Sequence, residues 1–518
     1  MRITQKQIAA CEYIITFLGL FFYTGGLSTV LLDTFFLPRK IMTLMRYGIL
    51  LPALIFLPTH LPQVKSALLQ GKLAWVVTLM GMASFLWSIQ PAIPLGTIRS
   101  ELLPMSIFAL YFAIRFPLKV QARIMALLLM SVSFISIFYA VAMPHIGQHG
   151  PTSNWPGAWK GIFLHKNTFG AFMTLTAGVV FSKIIKSKVP NLGLKIALGV
   201  LLLAAVVSGS MGSLIYANAI CGIIFVLTKV RWRGKIGVLI SYIALVGILM
   251  GYGVLLAVWD VLFTAIGKDP TLTGRTLIWE YIRIQLMANN PILGFGRGVI
   301  WKTSWFMYGV WAHAGDSPAN AHNGFYDLAL DVGYLGLLIF VVSYFINFSK
   351  AWKLAYRAQE AEYLWPIIFL IVLLMQNMLE SLLMRGESFN WVIYLALSSS
   401  LDRWLHEKQW ADQKAKRQGS LGAESKKSKA LEEDWDRLER RRSRPRIDPL
   451  DPLDPNAPLP RRNRQPTLAP PPPPSPHRFA PSPPFSPPDS TIQNYNPPPV
   501  YGVEAAKLDD DRSPETHR

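Results

Sequence analysis

Cysteine is almost missing from this chain: Cys11 and Cys221 are the only two in 518 residues, and both sit inside apolar runs. Two such thiols give neither a disulfide framework nor a metal-ligand spacing, and they read as small apolar packing groups. Acidic residues are also scarce, 31 Asp and Glu against 51 Lys and Arg. No internal repeat of fixed period is visible, which excludes solenoids and propellers. The one glycine-rich run, Gly294-Phe295-Gly296-Arg297-Gly298, follows no strand; it reads as a tight turn, not a nucleotide loop. A cleavable leader is not expected either. Arg2 and Lys6 precede an apolar stretch, Ile8 to Leu32, that is too long for a signal-peptide core and lacks a small-residue cleavage site.

What the chain has in abundance is apolar sequence. It is 51% hydrophobic with a mean hydropathy of +0.31, although its last quarter is very polar. Up to Leu401 there are 30 Lys and Arg against 13 Asp and Glu; beyond it there are 21 against 18. The basic excess therefore belongs to the apolar part, where it sits in short connections between long apolar runs. That pattern encodes membrane topology and argues against a nucleic-acid partner.

At about 20 apolar residues per crossing, candidate spans are 8–32, 43–58, 73–89, 101–115, 122–143, 167–185, 192–208, 211–229, 236–259, 324–348, 363–384 and 388–404. The even-numbered connections carry the Lys and Arg clusters, for example Arg115, Lys119 and Arg123, or Lys183, Lys186 and Lys188. The positive-inside rule then puts both termini in the cytoplasm. The expected fold is an all-α membrane protein, a polytopic bundle of about twelve transmembrane helices over residues 1–404. Two sizeable extracytoplasmic loops are expected, at about 144–166 and 260–322. A charged segment follows at 405–443, with mixed-sign charge over Glu432 to Arg442 that suits a helix. Residues 444–518 are proline-dominated, cannot bury a core, and read as a disordered cytoplasmic tail; its PxxP units could dock in a partner's groove.

The chemistry-bearing residues gather in the loops. Trp159-Lys160-Gly161 leads to His165-Lys166-Asn167, and Ser208-Gly209-Ser210 follows. Gly274-Arg275 precedes Trp279, then comes Pro291-Ile292-Leu293-Gly294-Phe295-Gly296. His322-Asn323-Gly324-Phe325 leads into Asp331, Gly333 and Gly336. Arg275, Trp279 and Arg283 share one helix face at i, i+4, i+8. In this order the motifs resemble the O-antigen ligase and polymerase superfamily, its exopolysaccharide-production polymerases in particular. The resemblance covers roughly residues 8–400, with its motifs at about 150–340. One departure stands out: where that family often has a basic residue after the Ser-x-Ser pair, this chain has Met211, so an anion contact there would come from Lys160 or Lys166.

The resemblance implies a metal- and cofactor-independent glycosyltransferase on the outer face of a bacterial inner membrane. It would join polyprenyl-pyrophosphate-linked sugar units with inversion at the anomeric centre. Elementary chemistry points the same way. A departing pyrophosphate is helped by fixed cations, and Arg275, supported by Arg283 or Arg297, supplies them; Lys160, Lys166, His165 and Asn323 are further candidate binders. A histidine suits proton removal from the attacking sugar hydroxyl, and His322 stands where the loop enters the membrane. Glu280 and Asp316 are fallback bases, and Asp327 and Asp331 are expected to pair with basic residues. The loop tryptophans 155, 159, 301, 305 and 311 read first as an interfacial belt. The expected partners are the lipid-linked glycan, membrane lipids, and chain-length or export proteins at the tail. Two other functions fit the same topology: a ligase moving finished glycan to another acceptor, and a flippase for lipid-linked sugars.

Overall fold

The structure, a computed structural model, describes in continuous stretches residues 5–38, 40–229, 273–315, 317–356, 360–386 and 388–405. The expected span 236–259, residues 260–272, Asp316 and the segments beyond 405 lie outside the described residues. Everything below belongs to the unit Met1–Leu431.

The described residues are helical, with no strand among them and one isolated bridge between Gln148 and Trp159. The principal helices in chain order are α1 (Gln5–Tyr23), α2 (Lys40–Thr59), α3 (Leu61–Gln70), α4 (Lys72–Ala83), α5 (Leu103–Arg115), α6 (Leu118–Ala142) and α7 (Lys166–Lys186). They continue with α8 (Leu192–Val207), α9 (Met211–Lys229), α10 (Thr273–Asn289), α11 (Ser304–Ala314), α12 (Gly324–Tyr356), α13 (Trp365–Asn377) and α14 (389–405). Proline opens α3, α5 and α13 within the first two positions, where its missing N–H costs nothing.

Five helices are long and apolar enough to cross a bilayer, or up to seven if two bent pairs each count as one span. Their surfaces say what covers them. On α6, Leu127, Phe134, Phe138 and Val141 are exposed along one side, while Leu128, Val132, Ser136 and Tyr139 are buried. On α2, Leu44, Leu51 and Ile55 are equally exposed. Stripes of that size facing outward need hydrocarbon against them. Inside, α7 packs on α6, α8, α9 and α13, and α12 packs on α4. Side-chain bonds tie the interior: Tyr394 to Ser343 at 2.7 Å, Asn347 to Ser398 at 2.7 Å and Trp75 to Ser399 at 2.9 Å. This is a multi-pass membrane protein.

Two expected spans and one expected connection have a different form. The run 8–32 is not one rod: the chain turns by 95° at Thr24-Gly25, where Gly25 takes φ 77°. Residues 61–70, expected as a connection, form α3, which meets α4 with another 95° bend. The span 363–384 stops at Asn377, and residues 378–388 leave the helix before α14 begins.

The two ends of the bundle differ in chemistry. At the Leu118 end of α6, ion pairs join Arg115 to Glu12 (2.6 Å) and Lys119 to Glu360 (2.8 Å). At the other end, about 37 Å away at ~1.5 Å per residue, lie the loop motifs.

Candidate active site

The segment 378–381, between α13 and α14, gathers the site. Glu380 Oε1 accepts a hydrogen bond from Asn167 Nδ2 at 2.6 Å, and Glu380 Oε2 stands 3.9 Å from His322 Nδ1. Arg275 Nη1 donates to the Leu379 carbonyl at 3.0 Å, and Asn323 N–H donates to Ser381 Oγ at 3.2 Å. Three stretches far apart in sequence thus meet on one short turn. His322 and Glu380 keep about a third and a quarter of their side-chain surface open to solvent. Burial raises the Glu380 pKa, but His322, Asn167 and Arg275 outweigh it and hold the carboxyl below its ordinary range. Burial lowers that of Arg275, with Glu380 opposing.

Each side chain is placed by a helix start. Asn323 caps α12, its Oδ1 accepting from the N–H groups of Phe325 and Tyr326. At the start of α7, His165 Nδ1 accepts from Asn167 N–H and His149 Nε2 accepts from Lys166 N–H, both at 3.2 Å. Both rings must be neutral at those nitrogens, and burial, with nearby lysines, does lower the pKa of each. His165 thus orders the helix start that presents Lys166 and Asn167. The Lys166 ammonium donates to Gly209 O at 3.2 Å and lies over the Trp155 ring at 5.1 Å. Gly209, with φ 63°, joins α8 to α9.

Four helices, α7, α9, α10 and α12, therefore begin at this place. A helix start carries partial positive charge and favours anions. Two of these starts hold a cation instead: Lys166 in the first turn of α7 and Arg275 in the first turn of α10. Cations there oppose the local dipoles, and a bound anion relieves both. Lys160 is half-buried and acts electrostatically on His149 from the same loop.

The remaining expected residues lie elsewhere. Arg283 is exposed two turns along α10, near Tyr334. Arg297 is buried, 2% exposed, and bonded to Asp331 at 3.2 Å and Glu101 at 3.0 Å; both of its charges' partners are protein, so it does not join the cluster. Asp327 pairs with Arg385. Glu280 lies 3.7 Å from His313. Trp301 donates to Asp327 and Trp279 to the Ala321 carbonyl, so these indoles brace the loop from within. Trp305 and Trp311 are exposed.

Glu380 was missed by sequence reading because it was absorbed in an apolar span. The signal was present: an acid followed by Ser381, Arg385 and Gly386 interrupts that run, and an acid at membrane depth carries a functional expectation.

Fold and site together define a multi-pass helical membrane protein with cationic side chains clustered near a histidine and a carboxylate. Over residues 196–341 the chain matches the O-antigen ligase family, and it is O-antigen ligase-like there. It is also 26% identical over 200 residues to the exopolysaccharide production protein ExoQ of Rhizobium meliloti (strain 1021). That match takes in 35% of this chain and 44% of the relative's length.

Proposed function

We propose that this protein is a glycan polymerase that joins polyprenyl-pyrophosphate-linked sugar units at the outer face of a bacterial inner membrane. The carrying observation is the convergence of four helix starts, Arg275 and Lys166 on a solvent-reachable histidine–glutamate pair. His322 removes the proton from the acceptor sugar hydroxyl as its oxygen attacks the anomeric carbon. The bond from that carbon to the carrier's pyrophosphate breaks, and its electron pair leaves with the phosphate oxygen. Arg275, Lys166 and the helix starts stabilise the charge that develops there, and Asn323 sets the entry of α12. Glu380 steadies the resulting imidazolium. The energy comes from the pyrophosphate linkage, and no metal is required. The ExoQ name, which speaks of exopolysaccharide production, supports polymer formation.

The rest of this reading follows the charge pattern: about twelve spans in residues 1–404, loops near 144–166 and 260–322 outside, and both termini in the cytoplasm. The segments 405–443 and 444–518 are accessories that meet chain-length or export proteins.

The test is elongation of lipid-linked repeat units by membranes carrying His322→Ala, Arg275→Ala or Glu380→Gln, with protein levels matched. Loss of roughly 10²–10⁴-fold is expected for His322→Ala, and roughly 10²–10³-fold for Arg275→Ala. Normal elongation by both alanine variants sinks the site. A parent protein that moves finished glycan to a second acceptor, but never lengthens chains, is a ligase.

A further inference from the structure

His322 has a backbone conformation that needs an explanation: its φ is +48°, in the left-handed region that a side chain disfavours. Such a residue persists only where its surroundings over-determine it. Three amide contacts do so. His322 N–H donates to Asn320 Oδ1 at 2.9 Å, Asn323 N–H donates to Ser381 Oγ, and Ala321 N–H donates to Asp327 Oδ2 at 3.2 Å.

Asp327 does more than hold one amide. It sits in the first turn of α12 and is completely buried. Its Oδ1 accepts from Trp301 Nε1 at 2.6 Å and from Arg385 Nη2. Arg385 belongs to the same inter-helix segment as Glu380. One carboxylate therefore binds the amide of Ala321, the residue before His322, the turn before α11, and the segment carrying His322's acidic partner. His322 and Glu380 lie in separate segments, 3.9 Å apart, and this junction ties the two segments together alongside the Asn323–Ser381 bond.

We propose that Asp327 is a positioning residue for proton transfer: it holds His322 in its left-handed conformation and in register with Glu380, without touching substrate. This rests on the glycosyl-transfer reading above. Because Arg275 and Lys166 are held by other bonds, loss of Asp327 should disturb the proton-transfer step and leave the donor contacts intact.

The experiment measures initial rates against concentration of lipid-linked repeat unit, extracted from cells lacking this protein. It compares the parent, Asp327→Asn, and the double variant Asp327→Asn/Arg385→Gln, each at matched folded amount from detergent gel filtration. The single variant leaves Arg385, whose side chain is 21% exposed, without its bonded carboxylate; the double variant removes both charges together. The expected result for the folded double variant is a kcat at least tenfold below the parent with KM within about threefold. A parental kcat overturns the proposal, as does a raised KM at unchanged kcat. A double variant that fails to accumulate in membranes also overturns it, in favour of a folding role. His322→Ala and Arg275→Ala run alongside: if they stay active, the glycosyl-transfer site itself is wrong, whatever Asp327 does.

Discussion

His149 and His165 accept hydrogen bonds from the first amides of α7, and a protonated ring nitrogen cannot accept. Their pKa values are lowered in the folded state, so between the lowered and the ordinary value, near 6.5, the unfolded chain binds more protons. Their contribution is complete above the ordinary histidine range and is lost as pH falls below it. Glu380, also lowered, loses its contribution only further down, as pH falls through the carboxylate range. The apparent Tm of detergent-solubilised protein should therefore fall between pH 7 and 5. His165→Asn, which caps a helix without titrating, should flatten that fall while costing under about 1 kcal/mol at pH 7. Equal slopes in parent and variant would contradict this account. At this scale the sequence singles out part of the cluster that the structure brings together. His322, Arg275 and Lys166 could be singled out because a cation or imidazole in a loop beside glycine and tryptophan is conspicuous. Glu380 was passed over, because hydropathy does not register the helix end three residues before it and only the polar residues that follow mark the break. Arg297 misled for the converse reason: nothing local reveals that Asp331 and Glu101 neutralise it.

Among elements, α12 carries the sharpest constraint. Gly333 breaks its helical path at φ 70° and ψ 179°, and the turn 290–296 lies directly against the break. A Cβ on Gly333 would overlap the Ile292 carbonyl, and one on Gly294 would come within 2.6 Å of the Gly333 amide nitrogen. Phe295 N–H and Tyr334 N–H then bond across this contact, to Leu330 O and Pro291 O, both at 2.8 Å. Gly333→Ala should lower stability by about 3 kcal/mol, read as a drop in apparent Tm; an unchanged Tm would show that the contact is slack. The Gly294–Gly298 run was visible in sequence as a tight turn, and Gly333 as part of a helix; their mutual contact was not, since only tertiary packing brings that turn against α12. The bend at Gly25 was hidden similarly: apolar composition continues through it while the backbone turns.

For the molecule as a whole, the separation of ion pairs from the candidate site gives the topology something to test. Reporter insertions after Gly150 and after Ser317 should report the extracytoplasmic side, and one after Lys188 the cytoplasm; all three on one side would refute the assigned orientation. The helix count was legible only in outline, because charges in short loops order the spans while bent and short helices blur where each begins. One consequence concerns the cations seated at helix starts. A fold that places positive groups against positive dipole ends stores unfavourable electrostatic energy, which an anion releases on binding. Occupancy should then be readable as heat resistance, with no turnover at all. Inorganic pyrophosphate at about 100 times its Kd should stabilise the parent by about 2.7 kcal/mol, and the Arg275→Ala variant by distinctly less at the same concentration. In that sense the resting cluster is tensioned toward an anion, and melting temperature becomes a gauge of anion capture.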